Sequence, residues 1–269
     1  MIYLRSFMLS SYIDRNPNIY PDHVFKHIAG ETLFLNRITV LYGSNGSGKS
    51  TLLNLIANKL GMLGSEKMAS FEYSEYVRRF LDWSRYQLGS DRHEEEIRQL
   101  PEGSRYIKSE DILYEIKKIQ QEAVLREGIL YEQRSKGMTQ EQVSQYASSH
   151  EFKKKMGIIQ YSQEKYSNGE TSIQFFEEYL LPGKLYLLDE PETSLSPANQ
   201  IRLAEQINEL ARFFDSQFII ASHSPIMLGT LQAKIYNLDR SPLQTAEWYE
   251  LDNVRFFYQF FHKHKSLFE

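Results

Sequence analysis

Hydrophobic and polar positions change their period several times along the chain, and each change predicts a new element. Residues 2–10 alternate apolar and polar, the period-two signal of a strand. "ETLFLNRITVLY" (31–42) continues as strand material, interrupted at Asn36-Arg37. Its second half, "ITVLY", is a short β-branched apolar run that feeds directly into a glycine-rich loop. "KSTLLNLIANKL" then predicts a helix in which Leu52, Leu53, Leu55, Ile56 and Leu60 cover a broad apolar face, with Gly61 as the stop.

From 64 to about 165 the pattern becomes rich in Tyr, Glu, Arg, Lys and Gln. "SEYVRRFLDWSRYQL" (74–88) and "DILYEIKKIQQEAVL" (111–125) have helical spacing. The second places Ile112, Ile116 and Ile119 on one stripe, with Asp111 as its N-cap. "TQEQVSQYASSHEFKKKM" (139–156) predicts a third, more polar helix. No heptad is sustained, so the stretch reads as a compact helical lobe rather than a long coiled coil.

The α/β alternation then returns. "KLYLLDE" (184–190) and "QFIIASH" (217–223) are buried strands, ending in two carboxylates and in a histidine respectively. Between them "SPANQIRLAEQINELARFF" (196–214) predicts a helix capped by Ser196 with Pro197 in its first turn. "AKIYNLD" (233–239) and "TAEWYEL" (245–251) read as late strands, and "NVRFFYQFFHKH" (253–264) as a terminal amphipathic helix. With no repeat or flexible linker, the expectation is one domain over 1–269, carrying the lobe 64–165 as an insert.

Composition narrows the function classes. An apolar fraction of 41%, with eighteen Tyr and sixteen Phe, supplies enough core to exclude a disordered chain. The net charge of -4 gives no global electrostatic case for nucleic acid or an anionic membrane. Without cysteine, a disulfide framework, thiol nucleophile or Cys-based zinc site is ruled out. The start, "MIYLRSFMLSS", is too short and too poor in small residues for a signal peptide, and no apolar run is long enough to span a membrane. The expected location is the cytoplasm.

The chemistry begins at Gly43-Ser44-Asn45-Gly46-Ser47-Gly48-Lys49-Ser50-Thr51, which fits G-x-x-x-x-G-K-[ST] in full. Glycines let successive backbone N–H groups converge on phosphate oxygens at a helix N-terminus, where the dipole also favours negative charge. Lys49 is placed to bridge the β- and γ-phosphates of a bound ATP, and the Ser50 hydroxyl to bind Mg²⁺. Farther on, an apolar strand delivers Asp189 to its C-terminal end, where a carboxylate can hold Mg²⁺, and Glu190 can take a proton from an attacking water. A strand ending in an acidic turn is common by itself; following the phosphate loop, the pair reads as functional.

Between the two lies "YSNGETS" (166–172), leading into "IQFFEEYLL". In this order the chain resembles the ABC-type P-loop ATPases, and in particular the short stand-alone bacterial AAA/ABC ATPases related to SMC and RecF nucleotide-binding heads. "ETSLSP", "QFIIASHSP" and the ending "ELDNVRFFYQFFHKHKSLF" carry that narrower likeness. The resemblance implies an α/β fold: a mostly parallel central sheet, an N-terminal antiparallel β part and a helical lobe inserted between phosphate loop and signature. It implies that Ser167 and Gly169 stand in the signature loop and close on the γ-phosphate held by a second subunit. It places "PETSLSP" (191–197) at the D-loop, with Ser196 where that family usually has Asp, and His223 at the switch histidine that contacts the γ-phosphate. Glu110, in "GSRYIKSEDILYEI" (103–116), stands where a glutamine is expected and reaches the Mg²⁺ shell through water; a helix N-terminal acid explains it equally well. Tyr12, Tyr20 and Phe25 are the aromatics available to stack on adenine.

The resemblance implies an ATP-hydrolysing switch that dimerises head to tail around Mg-ATP and acts on a partner protein or on DNA, as in repair or defence modules. "FKKKM" (152–156) and Arg78, Arg79 and Arg85 fit either phosphate contacts or solvated helix faces. Two other readings stay open. One is the nucleotide-binding subunit of a membrane transporter, against which the long insert and the altered D-loop count. The other is a P-loop kinase, which has no use for the signature or for Glu190.

Overall fold

A computed structural model describes residues 1–12, 16, 18–66, 74–91, 94–110, 128, 130–131, 138–147, 149, 152, 173, 175–177, 179–193 and 195–269. The expected helix at 111–125 and the loop at 166–172, with Ser167 and Gly169, lie outside those residues, as do residues 148–156 of the expected 139–156 helix apart from 149 and 152.

Two sheets form the framework among the described residues. β1 (Leu4–Met8), β2 (Thr32–Phe34) and β4 (Arg85–Leu88) make an antiparallel sheet in the order β2-β1-β4. The larger sheet contains β3 (Ile38–Tyr42), β5 (Arg105–Lys108), β6 (Leu185–Asp189), β7 (Gln217–Ala221), β8 (Lys234–Asn237) and β9 (Gln244–Ala246). Its order is β5-β6-β7-β3-β8-β9, parallel throughout except that β9 runs against β8.

β3, β6 and β7 are buried at every position, which is why they read as continuous apolar runs rather than alternating ones. Their successive side chains nevertheless point to opposite faces. Val40, Tyr186, Leu188, Phe218 and Ile220 join one core, under α5 (Pro197–Phe213) and α6 (Pro225–Thr230). Leu41, Leu185, Leu187, Ile219 and Ala221 join the other, under α2 (Lys49–Lys59), with α1 (Asp22–Phe25) and α3 (Ser74–Trp83) alongside. Gln217, fully buried, ties the two sheets together. Its Oε1 accepts from the Tyr3 and Leu4 N–H groups, both at 2.8 Å, and its Nε2 donates to the carbonyls of Leu4 (2.8 Å) and Asn36 (3.0 Å).

Several expectations are met closely. Ser196 accepts a 3.3 Å bond from the Asn199 N–H ahead of Pro197, and Gly61 ends α2 with φ +62°. Others are corrected. The 74–88 stretch is helical only to Trp83: the Ser84 hydroxyl bonds back to the Phe80 carbonyl (2.8 Å), and 85–88 leaves as β4. The 64–165 stretch is therefore not uniformly helical, since β4 completes the antiparallel sheet and β5 forms one edge of the larger one. Of 139–156, α4 (Gln140–Ala147) is a described helix. The 245–251 stretch is strand only to Ala246; a capping box between Glu247 and Glu250 turns it into one 3₁₀ turn before α7 (Asp252–Lys263). Among the described residues no helix is long and apolar enough to cross a membrane.

Because β3, β6, β7 and β8 are parallel, their C-terminal ends share one edge of the sheet. Asp189 ends β6 at that edge, and Gly43, Ser222 and Asp239 leave from it just after their strands.

Candidate functional site

β3 ends at Tyr42 and the chain turns through Gly43–Gly48 into α2. Gly46 and Gly48 have φ of +84° and +94°, a region that side-chain-bearing residues avoid. A Cβ on Gly48 would also collide with Val24 Cγ1 and Phe25 Cε1, so α1 packs against the loop closely enough to demand glycine. Ser44, Asn45 and Gly46 are exposed, whereas the Lys49 side chain is buried and folds over its own loop. Its ammonium donates to the carbonyls of Gly43 (2.9 Å) and Ser44 (3.1 Å). From the next strand, Asp239 fastens the loop's entrance: Oδ2 accepts from the Ser44 N–H (2.8 Å) and Oδ1 from the Ser44 hydroxyl (2.9 Å).

At the second residue of α2, the Ser50 hydroxyl donates to Asp189 Oδ1 at 3.0 Å. The other oxygen of Asp189 accepts from the Tyr106 hydroxyl of β5 at 2.9 Å. Burial pushes the Asp189 carboxyl above its usual range; the bonds from Tyr106 and Ser50 pull it back, Glu190 adds a further push upward, and Lys108 lowers it. Ser50, Tyr106, Asp189, Glu190 and Glu110 line one cleft of about 350 Å³, together with Tyr20, Thr51, Lys108 and others. Tyr20 bonds the Thr51 side chain, and burial raises its phenol. Lys108 is ion-paired to Glu66 at the cleft's rim.

Glu190 is one of three described non-glycine residues with positive φ (+46°), a strained conformation that its surroundings enforce. Its N–H donates to the Ala221 carbonyl (2.9 Å), and its own carbonyl accepts from the Thr193 N–H (3.1 Å) and hydroxyl (3.0 Å). The side chain stays partly open to solvent, with Oε1 3.5 Å from His223 Nδ1. His223 itself is aimed from behind. Buried Glu192 presents Oε1 to the Ser222 hydroxyl (2.6 Å), the His223 N–H (3.1 Å) and the Ser224 N–H (3.2 Å). Burial pushes the Glu192 carboxyl up, and these bonds and nearby His223 oppose the push. At the front, the Asn253 amide donates to the His223 carbonyl (2.6 Å) and its N–H to the Tyr42 hydroxyl (3.2 Å), so α7 begins against the same edge.

The residues present suit a phosphate chain and a hard cation. Hydroxyl and carboxylate oxygens of Ser50 and Asp189 are the donor type that Mg²⁺ takes, and Mg²⁺ keeps several waters besides. Ser47 Oγ in the loop is a buried atom without a hydrogen-bond partner, and His223 Nδ1 has only Glu190 Oε1 near it, at 3.5 Å. Among the described residues no group of three or more His, Asp or Glu side chains is placed to hold a metal by itself.

The fold thus brings Gly43–Thr51, Glu110, Asp189, Glu190 and His223 to one edge. Of the three aromatics, Tyr20 lines the cleft, Tyr12 stacks on Trp83 (5.8 Å between rings), and Phe25 is buried against Phe80 and so cannot stack on a base. Four residues escaped the sequence reading. Asp239 ends an apolar strand as Asp189 does, and that shared pattern was the available signal. Glu192 sits in a turn and Asn253 at the very start of α7, where no period marks them. Tyr106 looks like an ordinary strand tyrosine, because only pairing with β6 brings it to Asp189.

A family model described as "AAA domain, putative AbiEii toxin, Type IV TA system" matches residues 69–228. No curated protein matches the chain. Among solved structures, the chain is similar to the Smc head domain with an extended coiled coil, bound to the C-terminal domain of ScpA, from Pyrococcus furiosus. That likeness has 15% identity and a TM-score of 0.46, covering 93% of this chain and 98% of the other. A nucleotide-free ATP-binding cassette from an ABC transporter gives 19% identity and 0.45, with 88% and 87% covered. The SMC head domain from Thermotoga maritima gives 12% and 0.42, with 88% and 94% covered.

Proposed function

The chain belongs to that family of AAA domains, and on this premise we propose that it is an ATPase switch: it binds Mg-ATP on Gly43–Thr51, closes head to tail on a second copy, and reopens on hydrolysis. The observation that carries the reading is the joint of Ser50, Tyr106 and Asp189, with Glu190 and His223 3.5 Å apart beside it.

The loop N–H groups and the Lys49 ammonium take the β- and γ-phosphates. For this Lys49 exchanges its two carbonyl partners for phosphate oxygens, a charge-assisted gain. Ser50 and Asp189 would hold Mg²⁺, which would supply neutralisation of the phosphate charge. Glu110, on the wall of the same cleft, would reach that ion's shell through water. Glu190 orients a water in line with the γ-phosphorus and accepts its proton as the oxygen attacks; ADP leaves with the bridging oxygen. His223 reports on the γ-phosphate. Ser167 and Gly169 of the second copy complete the phosphate cage, so an isolated chain turns over slowly.

The work is done on a partner protein or nucleic acid in the cytoplasm. The family description, which names a toxin–antitoxin system, supports a defence-type setting. The test is Glu190→Gln. Release of phosphate to water should fall about 100-fold or more, the usual contribution of a positioned base, with ATP binding retained. Unchanged turnover would remove Glu190 from this role.

A further inference from the structure

α7 is anchored only at its root. Leu251 and Val254 are buried and Asn253 is bonded to the switch loop, yet nothing from Arg255 to Lys263 is buried. Phe256, Phe257, Tyr258, Phe260 and Phe261 are between 42% and 69% exposed. At 100° per residue, Phe256, Phe257, Phe260 and Phe261 fall on one stripe, with His264 between them and Asn253 in line at the root. The stripe is preorganised, since Phe257 stacks on Phe261 (6.5 Å between rings) and Phe268 folds back to Phe261 (6.3 Å). A projecting helix with four unpartnered phenylalanines is unusual for a monomer, whose scattered apolar side chains need no explanation but whose contiguous patches do.

The pattern along the helix is self-complementary. About a point between Tyr258 and Gln259 the phenylalanines are symmetric, and an antiparallel two-fold pair brings residues of the same flank together: Phe256 beside Phe260 of the second copy, and Phe257 beside Phe261. The same operation brings Asp252 beside Lys263 of the second copy. It also brings the acidic root (Glu247, Glu250, Asp252) against the basic end (His262, Lys263, Lys265). Lys265 is paired within its chain to Glu269 at 2.9 Å, but both side chains are about two-thirds exposed, so exchanging that partner costs little. The four stripe rings, with Phe268 folded back on them, offer roughly 500 Å² per chain, or about 1,000 Å² over a two-fold pair, the size at which a specific interface becomes tenable.

We propose that α7 pairs antiparallel with α7 of a second copy and holds two chains together without nucleotide. This goes beyond the ATP-dependent closure and does not depend on it. The proposal is tested by molar mass in solution with no nucleotide present. The native chain should be a dimer, and Phe256→Ser/Phe260→Ser a folded monomer with the native circular-dichroism spectrum, since neither ring supports the core. Asp252→Lys and Lys263→Asp should each weaken the dimer about tenfold, and the two together should restore it, because a self-pairing helix then meets opposite charge again. A native monomer overturns the proposal; if that monomer floats with phosphatidylglycerol vesicles, the stripe belongs to a lipid surface instead. A serine variant that remains a dimer, or charge reversals that do not compensate, overturns it too.

Discussion

Tyr106 shows how a residue acquires a role through its neighbours. It is a strand tyrosine on β5, buried against the second core, and its hydroxyl holds one oxygen of Asp189 while Ser50 holds the other. A ligating carboxylate fixed by an outer partner binds its metal better than a free one, typically by 10- to 100-fold. Tyr106→Phe removes only the hydroxyl. The Mg²⁺ concentration giving half-maximal ATP turnover should rise about tenfold, while stability changes by roughly 1 kcal/mol. A Mg²⁺ titration that superimposes on that of the native chain would count against the role. Gly43–Thr51 and the Asp189-Glu190 pair were legible because each has a fixed local spacing. Tyr106 was not, since its partner lies 83 positions away and only the β5–β6 register joins them.

At the scale of elements, the buried strands and the helices after β3 and β6 could be read directly: burial on both faces leaves a continuous apolar run, and Ser-Pro marks the start of α5. The short α6, which also opens at Ser-Pro, was not expected. β4 could not. Arg85, Tyr86 and Gln87 are all exposed, so the strand exists through its pairing with β1 and not through any apolar alternation. The turn after β6 also depends on a contact invisible to periodicity. There Glu192 braces the end of β7, and burial raises its pKa above the unfolded value. The folded state therefore holds that proton more tightly. Its contribution to stability is complete below the ordinary carboxylate pKa and is lost as pH rises through the raised one. Glu192→Gln keeps an acceptor oxygen and never ionises. Its melting temperature relative to the native chain should thus climb as pH rises above the ordinary carboxylate pKa, as followed by thermal melts. A relative stability that falls over that range would contradict the assignment.

For the whole molecule, parallel strands gather the phosphate loop, the carboxylates, the switch histidine and the root of α7 along one edge. The general α/β architecture followed from the alternation of elements, and the family match agrees with it. Assembly was harder to read, because a contact between chains leaves no period within one chain beyond an unexplained apolar stripe. The two proposed pairings are separable by experiment, one through α7 without nucleotide and one through the site with it. The decisive measurement is the molar mass of Glu190→Gln carried on the Phe256→Ser/Phe260→Ser background, with and without Mg-ATP. The account predicts a monomer alone and a dimer with Mg-ATP, held by ATP that cannot be cleaved. A protein that binds Mg-ATP and remains a monomer would contradict head-to-tail closure.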